Sequence, residues 1–189
     1  MRPLLALLGA AALLSAGAAG CGSQASDLPV PTRAQAAQRL AGAPAPLAAL
    51  HRQSGALLDG GEATFDRRLA ALAGRPVVVN AWASWCGPCK LEIPFFQRSA
   101  VRYGKRVGFL GLNVDDTGEK ARGFLREHFL AYPSYTDPDE RIARAVGVRT
   151  GLPTTVFYAR DGRVAFVHQG QYRDEAQLRA DIARYALRS

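Results

Sequence analysis

Apolar runs and amphipathic stretches alternate along the chain from residue 76 onward. The runs 76–82 and 107–114 are almost continuously apolar, which predicts two buried strands. Two later runs, 155–159 and 163–169, enclose the turn signal Arg160-Asp161-Gly162 and predict a β-hairpin. Helical spacing of apolar residues predicts helices over residues 86–103, 119–129, 141–146 and 175–187. Alternating strands and helices of this kind are typical of an α/β domain.

Three shorter helical segments are predicted ahead of the first strand. Thr32 can cap a helix over 33–41, although that segment has little apolar surface to bury. The leucines between residues 47 and 58 fall near one helical face, and residues 65–74 repeat apolar side chains at the same spacing. The main α/β pattern is therefore expected to carry a helical extension at its amino end.

The amino terminus has the plan of an export signal. Met1-Arg2 supplies a small positive region, residues 4–14 an apolar stretch, and residues 15–20 a run of small residues. Cys21 follows directly. Small residues before a lone cysteine resemble the cleavage box of bacterial lipoproteins, in which the cysteine is lipidated and becomes the first mature residue. Lipidation of Cys21 is the interpretation that we favour.

The cleavage box has one departure, because Ala18 stands where the lipoprotein pattern usually has leucine. Ordinary signal cleavage around Ala18 or Ala19 and an uncleaved anchor over 3–20 are therefore alternatives. The anchor alternative leaves Cys21 without a role, and an odd thiol in an exported protein is a liability.

Composition indicates one modest globular domain behind a tether. The chain has 189 residues, 48% of them hydrophobic, which is enough for a single core but not comfortably for two. Residues 1–20 are assigned to the signal peptide. The Ala-, Gly-, Ser- and Pro-rich stretch 21–45 is assigned to a flexible tether. Residues 46–189 are assigned to the folded domain with its helical extension.

The formal net charge is +8, and arginine far outnumbers lysine. The sequence contains no run of four or more basic residues, so the charge is interpreted as a solvated surface with weak attraction to anionic lipid headgroups. Neither a basic stripe nor a recognisable nucleic-acid-binding motif is present, which argues against nucleic acid as a partner.

The chemistry is concentrated in the run WCGPCK at residues 85–90, directly after the first predicted strand. Cys86 and Cys89 are two residues apart at the start of a predicted helix, close enough to form a small disulfide ring. The helix amino terminus favours a thiolate through its partial positive charge. These features predict a redox-active dithiol, with Cys86 as the attacking thiol and Cys89 as the resolving one.

Two other interpretations of the cysteine pair are weaker. A zinc site would need two further Cys or His ligands, but Cys21 is the only other cysteine and the histidines at 51, 128 and 168 are scattered. No metal is therefore predicted. A purely structural disulfide across so short a loop would add little stability.

The motif resembles the active site of the thioredoxin family. Residues 80–94 are most similar to its extracytoplasmic TlpA/ResA-like branch, which serves cytochrome-c maturation and envelope thiol reduction. The resemblance implies a thioredoxin-like fold with a central mixed sheet and helices on both faces, and no cofactor. It also implies protein thiols and disulfides as partners, with apocytochrome c as the usual substrate and a membrane thiol-reductant as donor. The location it implies is the outer face of the cell membrane or the periplasm, where the lipid anchor would hold the protein.

A second family mark is the dipeptide Leu152-Pro153, just before a predicted strand. The resemblance implies a cis bond before Pro153 in a loop facing the cysteines, and it places Pro153 among the catalytic residues. Substrate contacts are expected at Trp85, Gly87, Pro88 and Leu152. The alternative is that Pro153 merely begins a strand.

Glu92 is the expected proton acceptor for the resolving thiol. Cytosolic thioredoxins have a buried aspartate where this chain has Asn80, which cannot take a proton. Glu92 stands three residues after Cys89 on the same helix face and matches the glutamate of the TlpA-like branch. A surface glutamate would look the same in sequence, and Asn80 would then be a strand-end polar residue.

Two other functions stay open. A thiol peroxidase of the same fold normally has Thr or Ser three residues before its cysteine, a position that Ala83 occupies here. A copper-delivery module would need a nearby His or Met as a soft ligand, and Met1 leaves with the signal. The motif does not decide the direction of electron flow either, although its Gly-Pro dipeptide favours a reductant.

Overall fold

The computed structural model describes residues 29–188, so the predicted signal peptide, Cys21 and the first part of the tether lie outside it. Its helices are α1 (Arg33–Leu40), α2 (Ala45–His51), α3 (Gly61–Ala71), α4 (Gly87–Tyr103), α5 (Gly118–Glu127), α6 (Arg141–Ala145) and α7 (Glu175–Asp181). A π-helical turn (Ile182–Leu187) continues α7. The strands are β1 (Leu57–Leu58), β2 (Val77–Trp82), β3 (Gly108–Val114), β4 (Ser134–Asp137), β5 (Thr154–Tyr158) and β6 (Val164–Gln169).

The strands form one mixed sheet in the order β1-β4-β3-β2-β5-β6. The first four are parallel, whereas β5 runs antiparallel to β2 and β6 antiparallel to β5. Strand β2 is central, and all six of its residues are buried. The predicted mixed sheet and hairpin are confirmed, and the fold is thioredoxin-like.

Helices cover the sheet on both faces, and each face has its own apolar core. One core takes side chains from α1, α4, α5 and α7, including Phe96, Phe124 and Leu178. The other takes side chains from α2, α3 and α6, including Leu50, Phe65 and Ile142. Strand β2 contributes alternate residues to both cores, because side chains along a strand point to opposite faces.

Trp82, the last residue of β2, is held in the first core. Its ring packs on Phe124 with centroids 4.8 Å apart, and its Nε1–H donates to Ser134 Oγ at 3.1 Å. This bond passes over Gly111 of the neighbouring strand. A Cβ at that position would lie 2.1 Å from Ser134 Oγ and 2.9 Å from Trp82 Nε1. The absence of a side chain at Gly111 therefore leaves the space that the indole hydrogen bond occupies.

Two strands differ from the prediction. The helical segment expected over 47–58 ends at His51, and Leu57–Leu58 instead form β1, which pairs with β4. Strand β4 was not predicted, because its sequence Ser-Tyr-Thr-Asp is short and mostly polar. Strands β1 and β4 form by pairing with neighbours that are distant in sequence. Their own residues therefore carry little sequence signal for a strand.

Helix α1 corrects the predicted start of the folded domain. It lies within the stretch assigned to the tether, yet Ala36 and Leu40 are buried, and Pro31 O accepts a hydrogen bond from Gln97 Nε2 of α4 at 3.2 Å. The ordered fold therefore includes residues 31–45. None of the helices within residues 29–188 has the length and apolar character needed to cross a membrane.

Candidate active site

The central strand delivers the chain directly to the amino terminus of α4. Cys86 is the N-cap of that helix, and its Sγ accepts a hydrogen bond from the Cys89 N–H at 3.2 Å. Pro88 lies in the first turn, where the N–H that it lacks would have had no helical partner. A negative charge on Cys86 would therefore be stabilised by a hydrogen bond and by the positive end of the helix dipole.

Cys86 and Cys89 are joined by a disulfide, with their Cα atoms 5.3 Å apart. The two side chains are 3% and 1% exposed, whereas Gly87 and Pro88 between them are exposed. The predicted pairing of the two cysteines is thus present, with Cys86 at the helix cap and Cys89 one turn deeper.

Two large apolar side chains next to the disulfide face solvent. Trp85 is 57% exposed and Leu91 is 65% exposed. The indole of Trp85 is held in place, because its Nε1–H donates to Asp115 O at 2.7 Å. A fixed, exposed aromatic ring beside a buried disulfide can contact an approaching protein chain with little loss of side-chain entropy.

Asp116 holds the loop between β2 and α4. Its carboxylate accepts hydrogen bonds from the Ser84 N–H at 2.6 Å and the Ser84 hydroxyl at 2.9 Å, and from Asn113 Nδ2 at 3.0 Å. Partial burial alone would raise its pKa, but these bonds and one from the Thr117 N–H outweigh burial and lower the pKa of Asp116. The loop that positions Trp85 and Cys86 is therefore fixed to the end of β3.

The Leu152–Pro153 bond is cis, as the family resemblance implied. Pro153 is buried and immediately precedes β5, and Thr154 of β5 pairs with Ala81 of β2. This register places Leu152-Pro153 at the end of the sheet where β2 ends, which is also where Cys86 caps α4. Leu152 is half-buried and packs against both cores.

Glu92 is fully buried, which rules out the alternative of a surface glutamate. Its Oε1 accepts a hydrogen bond from Asn80 Nδ2 at 3.0 Å, and its Oε2 accepts one from the Tyr172 N–H at 3.2 Å. Burial raises the pKa of Glu92 from its ordinary value of 4.5 to about 7, although both hydrogen bonds act to lower it. A carboxyl with this pKa can both hold and release a proton near neutrality.

Asn80 also differs from its prediction. It lies inside β2, not at the strand end, and pairs with Gly111 on one side and Thr155 on the other. Its side chain is buried and bound to Glu92. Asn80 is therefore part of the site.

Sequence reasoning missed Asp116, Tyr172 and Leu91. Asp116 follows a predicted strand end and precedes a helix cap, which is a weak signal. Tyr172 acts through its backbone N–H from a position 80 residues beyond Glu92, and no sequence pattern marks such a contact. Leu91 is an apolar residue between the polar residues Lys90 and Glu92, directly after the motif. This position could have indicated an exposed apolar side chain beside the cysteines.

The three histidines have partners elsewhere in the fold: the ring of His128 packs on Phe124 with centroids 4.5 Å apart, and that of His168 stacks on Tyr172 at 3.9 Å. His51 Nε2 is 2.9 Å from Gly104 O, beyond the carboxyl end of α4, and His168 Nδ1 lies 3.4 Å from Asp181 Oδ2. Across residues 29–188, no three His, Cys, Asp or Glu side chains are grouped so that they could hold a metal ion.

Comparison with known proteins points to thiol-disulfide chemistry. A family model described as Redoxin matches residues 40–182. The thiol-disulfide oxidoreductase ResA of Bacillus anthracis is 31% identical over 97 residues, which are 51% of this chain and 56% of that protein. The chain thus spans little more than half the length of the curated relatives that it matches.

Solved structures agree with the fold. A secreted Mycobacterium tuberculosis disulfide oxidoreductase homologous to E. coli DsbE is 25% identical with a TM-score of 0.55, covering 61% of this chain and 85% of that one. A DsbF homologue from Corynebacterium diphtheriae is 28% identical with a TM-score of 0.55, covering 61% and 75%.

The raised pKa of Glu92 predicts that neutral pH destabilises the fold through this residue. Below pH 4.5 the carboxyl is protonated in both the folded and the unfolded chain. Between pH 4.5 and about 7 the unfolded chain releases the proton while the folded one keeps it, so the free energy of unfolding falls as the pH rises. Glu92→Gln should remove this slope and raise the free energy of unfolding at pH 8 by about 3 kcal/mol.

Denaturant unfolding at several pH values measures the effect. In Glu92→Gln, rotation of the Asn80 amide can present its oxygen to the new NH2 group, so packing is kept. Exposed Glu127 serves as the matched control, because Glu127→Gln should change stability by less than about 0.5 kcal/mol. Parallel pH curves for wild type and Glu92→Gln would contradict the prediction.

Proposed function

The chain belongs to the Redoxin family, and from this premise we propose that it is a thiol-disulfide oxidoreductase acting on protein substrates through Cys86 and Cys89. Within the thioredoxin-like fold it lies with the TlpA/ResA-like proteins. The observation that carries the proposal is a disulfide at the amino terminus of α4, on the sheet edge shared with the cis Leu152–Pro153 bond.

The first step uses the reduced protein. The Cys86 thiolate attacks one sulfur of a substrate disulfide, forms a mixed disulfide and releases the other substrate sulfur as a thiolate, which takes a proton from solvent. The position of Cys86 as helix N-cap supports this role, because the Cys89 N–H and the helix dipole stabilise the thiolate.

The second step releases the product. Cys89 loses its proton and attacks Cys86 Sγ, which closes the Cys86–Cys89 disulfide. The second substrate sulfur leaves as a thiolate and takes a proton from solvent. The substrate gains two electrons and two protons in total, and the protein is oxidised by two electrons. A membrane thiol-reductant must then return the pair to the dithiol form.

Glu92 is the proposed acceptor of the Cys89 proton. It lies one helical turn beyond Cys89 in α4, is shielded from solvent, and has a pKa raised to about 7. Asn80 and the Tyr172 N–H fix the orientation of both carboxylate oxygens. Removal of the proton by a group held in place is the chemistry that a resolving thiol in a dry site requires.

The substrate is proposed to be an extended protein segment containing a disulfide or thiol. Trp85, Gly87 and Pro88 are exposed beside the cysteines, and Leu152 lies at the same edge, where its backbone can pair with such a segment. Pro153 contributes by having no N–H to compete for that pairing. Apocytochrome c is the substrate class that we propose from the family resemblance, with the Gly-Pro dipeptide favouring a reducing role.

The proposed location is the outer face of a membrane, with Cys21 carrying lipid. This part rests on the export-signal pattern and on Cys21, both outside the described residues. The secreted Mycobacterium tuberculosis relative shares the fold and the thiol chemistry.

Trapping of substrates tests the order of the two thiols. Cys89→Ala should accumulate mixed disulfides with substrate proteins through Cys86, because the resolving thiol is missing. Cys86→Ala should trap almost none, since Cys89 lacks the N-cap position and the N–H bond that stabilise a thiolate at Cys86. Non-reducing gels with mass spectrometry read the adducts, and both variants retain Cys21, so any adduct there would appear equally. Equal trapping at residues 86 and 89 would overturn the proposal.

Glu92→Gln should slow resolution of the mixed disulfide by about a hundredfold near neutral pH, because general-base help of this kind is lost. The first attack by Cys86 should be unaffected, and the difference should shrink at high pH, where hydroxide supplies the thiolate. Stopped-flow measurement of both steps across pH, with Glu127→Gln as control, checks this. Superimposable pH profiles would show that another group takes the proton.

Cys21→Ala tests the anchor. The wild type should fractionate with membranes, and the variant should appear in the soluble extracytoplasmic fraction, because the acyl chain supplies the hydrophobic binding energy. Mass spectrometry of the mature amino terminus provides the second readout. A soluble wild type that begins at Ala19 or Gly20 would contradict lipidation.

A further inference from the structure

Most of the net charge of the protein lies at one end of the sheet. The end in question is formed by the connections at the amino ends of the parallel strands, opposite the disulfide. Its exposed basic side chains include those of Arg39, Arg52, Arg102, Lys105, Arg106, Arg160 and Arg163, and we name the surface formed by these seven the basic face.

Hydrogen bonds between the connections show that these segments are neighbours. His51, which precedes Arg52, has its Nε2 2.9 Å from Gly104 O, in the loop that carries Lys105 and Arg106. A Cβ at Gly104 would lie 2.6 Å from Leu40 Cδ2, so the end of α1 meets the same loop.

The row continues across the sheet to the hairpin. The Gly108 N–H, at the start of β3, donates to Pro76 O at 2.9 Å, and the Gly74 N–H donates to Arg160 O at 3.1 Å. The basic face is therefore one continuous surface from the ends of α1 and α2 to the β5–β6 hairpin.

The charge of this face is not balanced locally. Two acidic residues lie near its seven basic ones. Asp161 pairs with Arg163 at 2.8 Å, and Asp66 of α3 acts on Tyr158, two residues before Arg160. These seven basic and two acidic residues sum to +5 of the +8 of the whole chain, and the other 17 basic and 14 acidic residues sum to +3. Glu127 at the end of α5 is beside Arg126 and adds no net charge at this end.

The structure assigns a docking role to this face: we propose that it binds an anionic phospholipid surface and thereby points the disulfide away from the membrane. A surface of clustered arginine and lysine raises the local concentration of anionic lipid and binds it electrostatically. Strand β2, with six residues, separates the face from Cys86 by about 20 Å, so docking leaves the site open to substrate.

The path of the chain favours a membrane over an acidic protein as the occupant. Helix α1 lies along this end of the sheet, because Arg33 Nη1 donates to Ser54 O at 3.0 Å, two residues after Arg52, and Leu40 meets the loop at Gly104. Cys21 lies eight residues before Pro29, and eight extended residues span about 26–29 Å, enough to reach the plane of the face. A polybasic surface beside an acyl anchor is a combination that gives stable membrane binding. This last argument rests on the proposed anchor, whereas the charge distribution does not.

The test uses the mature chain with Cys21→Ala, so that binding reports the face and not an acyl chain. Partition is measured by co-sedimentation with vesicles of phosphatidylcholine alone or with about one-third phosphatidylglycerol, at low and at high salt. The basic-face variant combines Lys105→Glu, Arg106→Glu and Arg160→Glu, all in exposed connections. The matched control combines Arg141→Glu, Arg149→Glu and Arg173→Glu, also exposed, which change the net charge by the same amount.

The chain carrying Cys21→Ala alone should bind the anionic vesicles at low salt, release them at high salt, and not bind neutral vesicles. The basic-face variant should lose at least tenfold in partition, and the control should stay within about threefold. Arg39→Gln with Arg52→Gln and Arg163→Gln repeats the test with other residues of the face, should the first variant fold poorly.

Equal losses in the basic-face variant and the control would show that net charge alone acts, and would overturn the proposal. Absence of any binding to anionic vesicles would also overturn it and leave an acidic protein as the occupant. Disulfide exchange with a substrate in solution should be unchanged in the basic-face variant, so failure of docking is distinguishable from failure of the proposed function.

Discussion

The hydrogen bond between Asn80 and Glu92 joins the central strand to the helix that carries both cysteines. Each partner is buried, and Glu92 has its second oxygen bound to the Tyr172 N–H. A buried carboxylate without such partners would cost several kcal/mol or more, so the sheet, α4 and the segment before α7 are constrained to meet at this point. The position of the α4 amino terminus, and with it the environment of Cys86 and Cys89, depends on that meeting.

A second set of contacts fixes the approach to the helix. Asp116 binds the backbone and side chain of Ser84, and Asp115 O accepts from the Trp85 indole. Residues at the end of β3 thereby fix the loop between β2 and α4. The bonds of Glu92 to Asn80 and to the Tyr172 N–H fix the helix itself. The cysteines therefore lie between two sets of contacts, one on the loop that precedes them and one on the helix that carries them.

The sequence predicted the parts of the molecule that have a local signal. The apolar run of β2, the cysteine spacing and the Asp-Gly turn each specify structure within a few residues. Strand β4 and the burial of Glu92 depend on residues that are distant in sequence. The pair Leu57–Leu58 fits the helical pattern of the preceding leucines, but two adjacent leucines fit a short strand equally well. The net charge of +8 can be counted in the sequence, but its distribution cannot. Seven of the basic side chains come together on one face only in the folded chain.

The space above Gly111 has a consequence for how this protein tolerates change. Any side chain there would displace Ser134 or the indole of Trp82, the residue from which the chain leaves β2 toward Cys86. A survey of all single substitutions would therefore find position 111 nearly as intolerant as the two cysteines. Activity would be lost because the added side-chain volume disturbs the packing of Trp82. Gly111 lies inside the sheet on β3 and would affect activity without contacting the substrate.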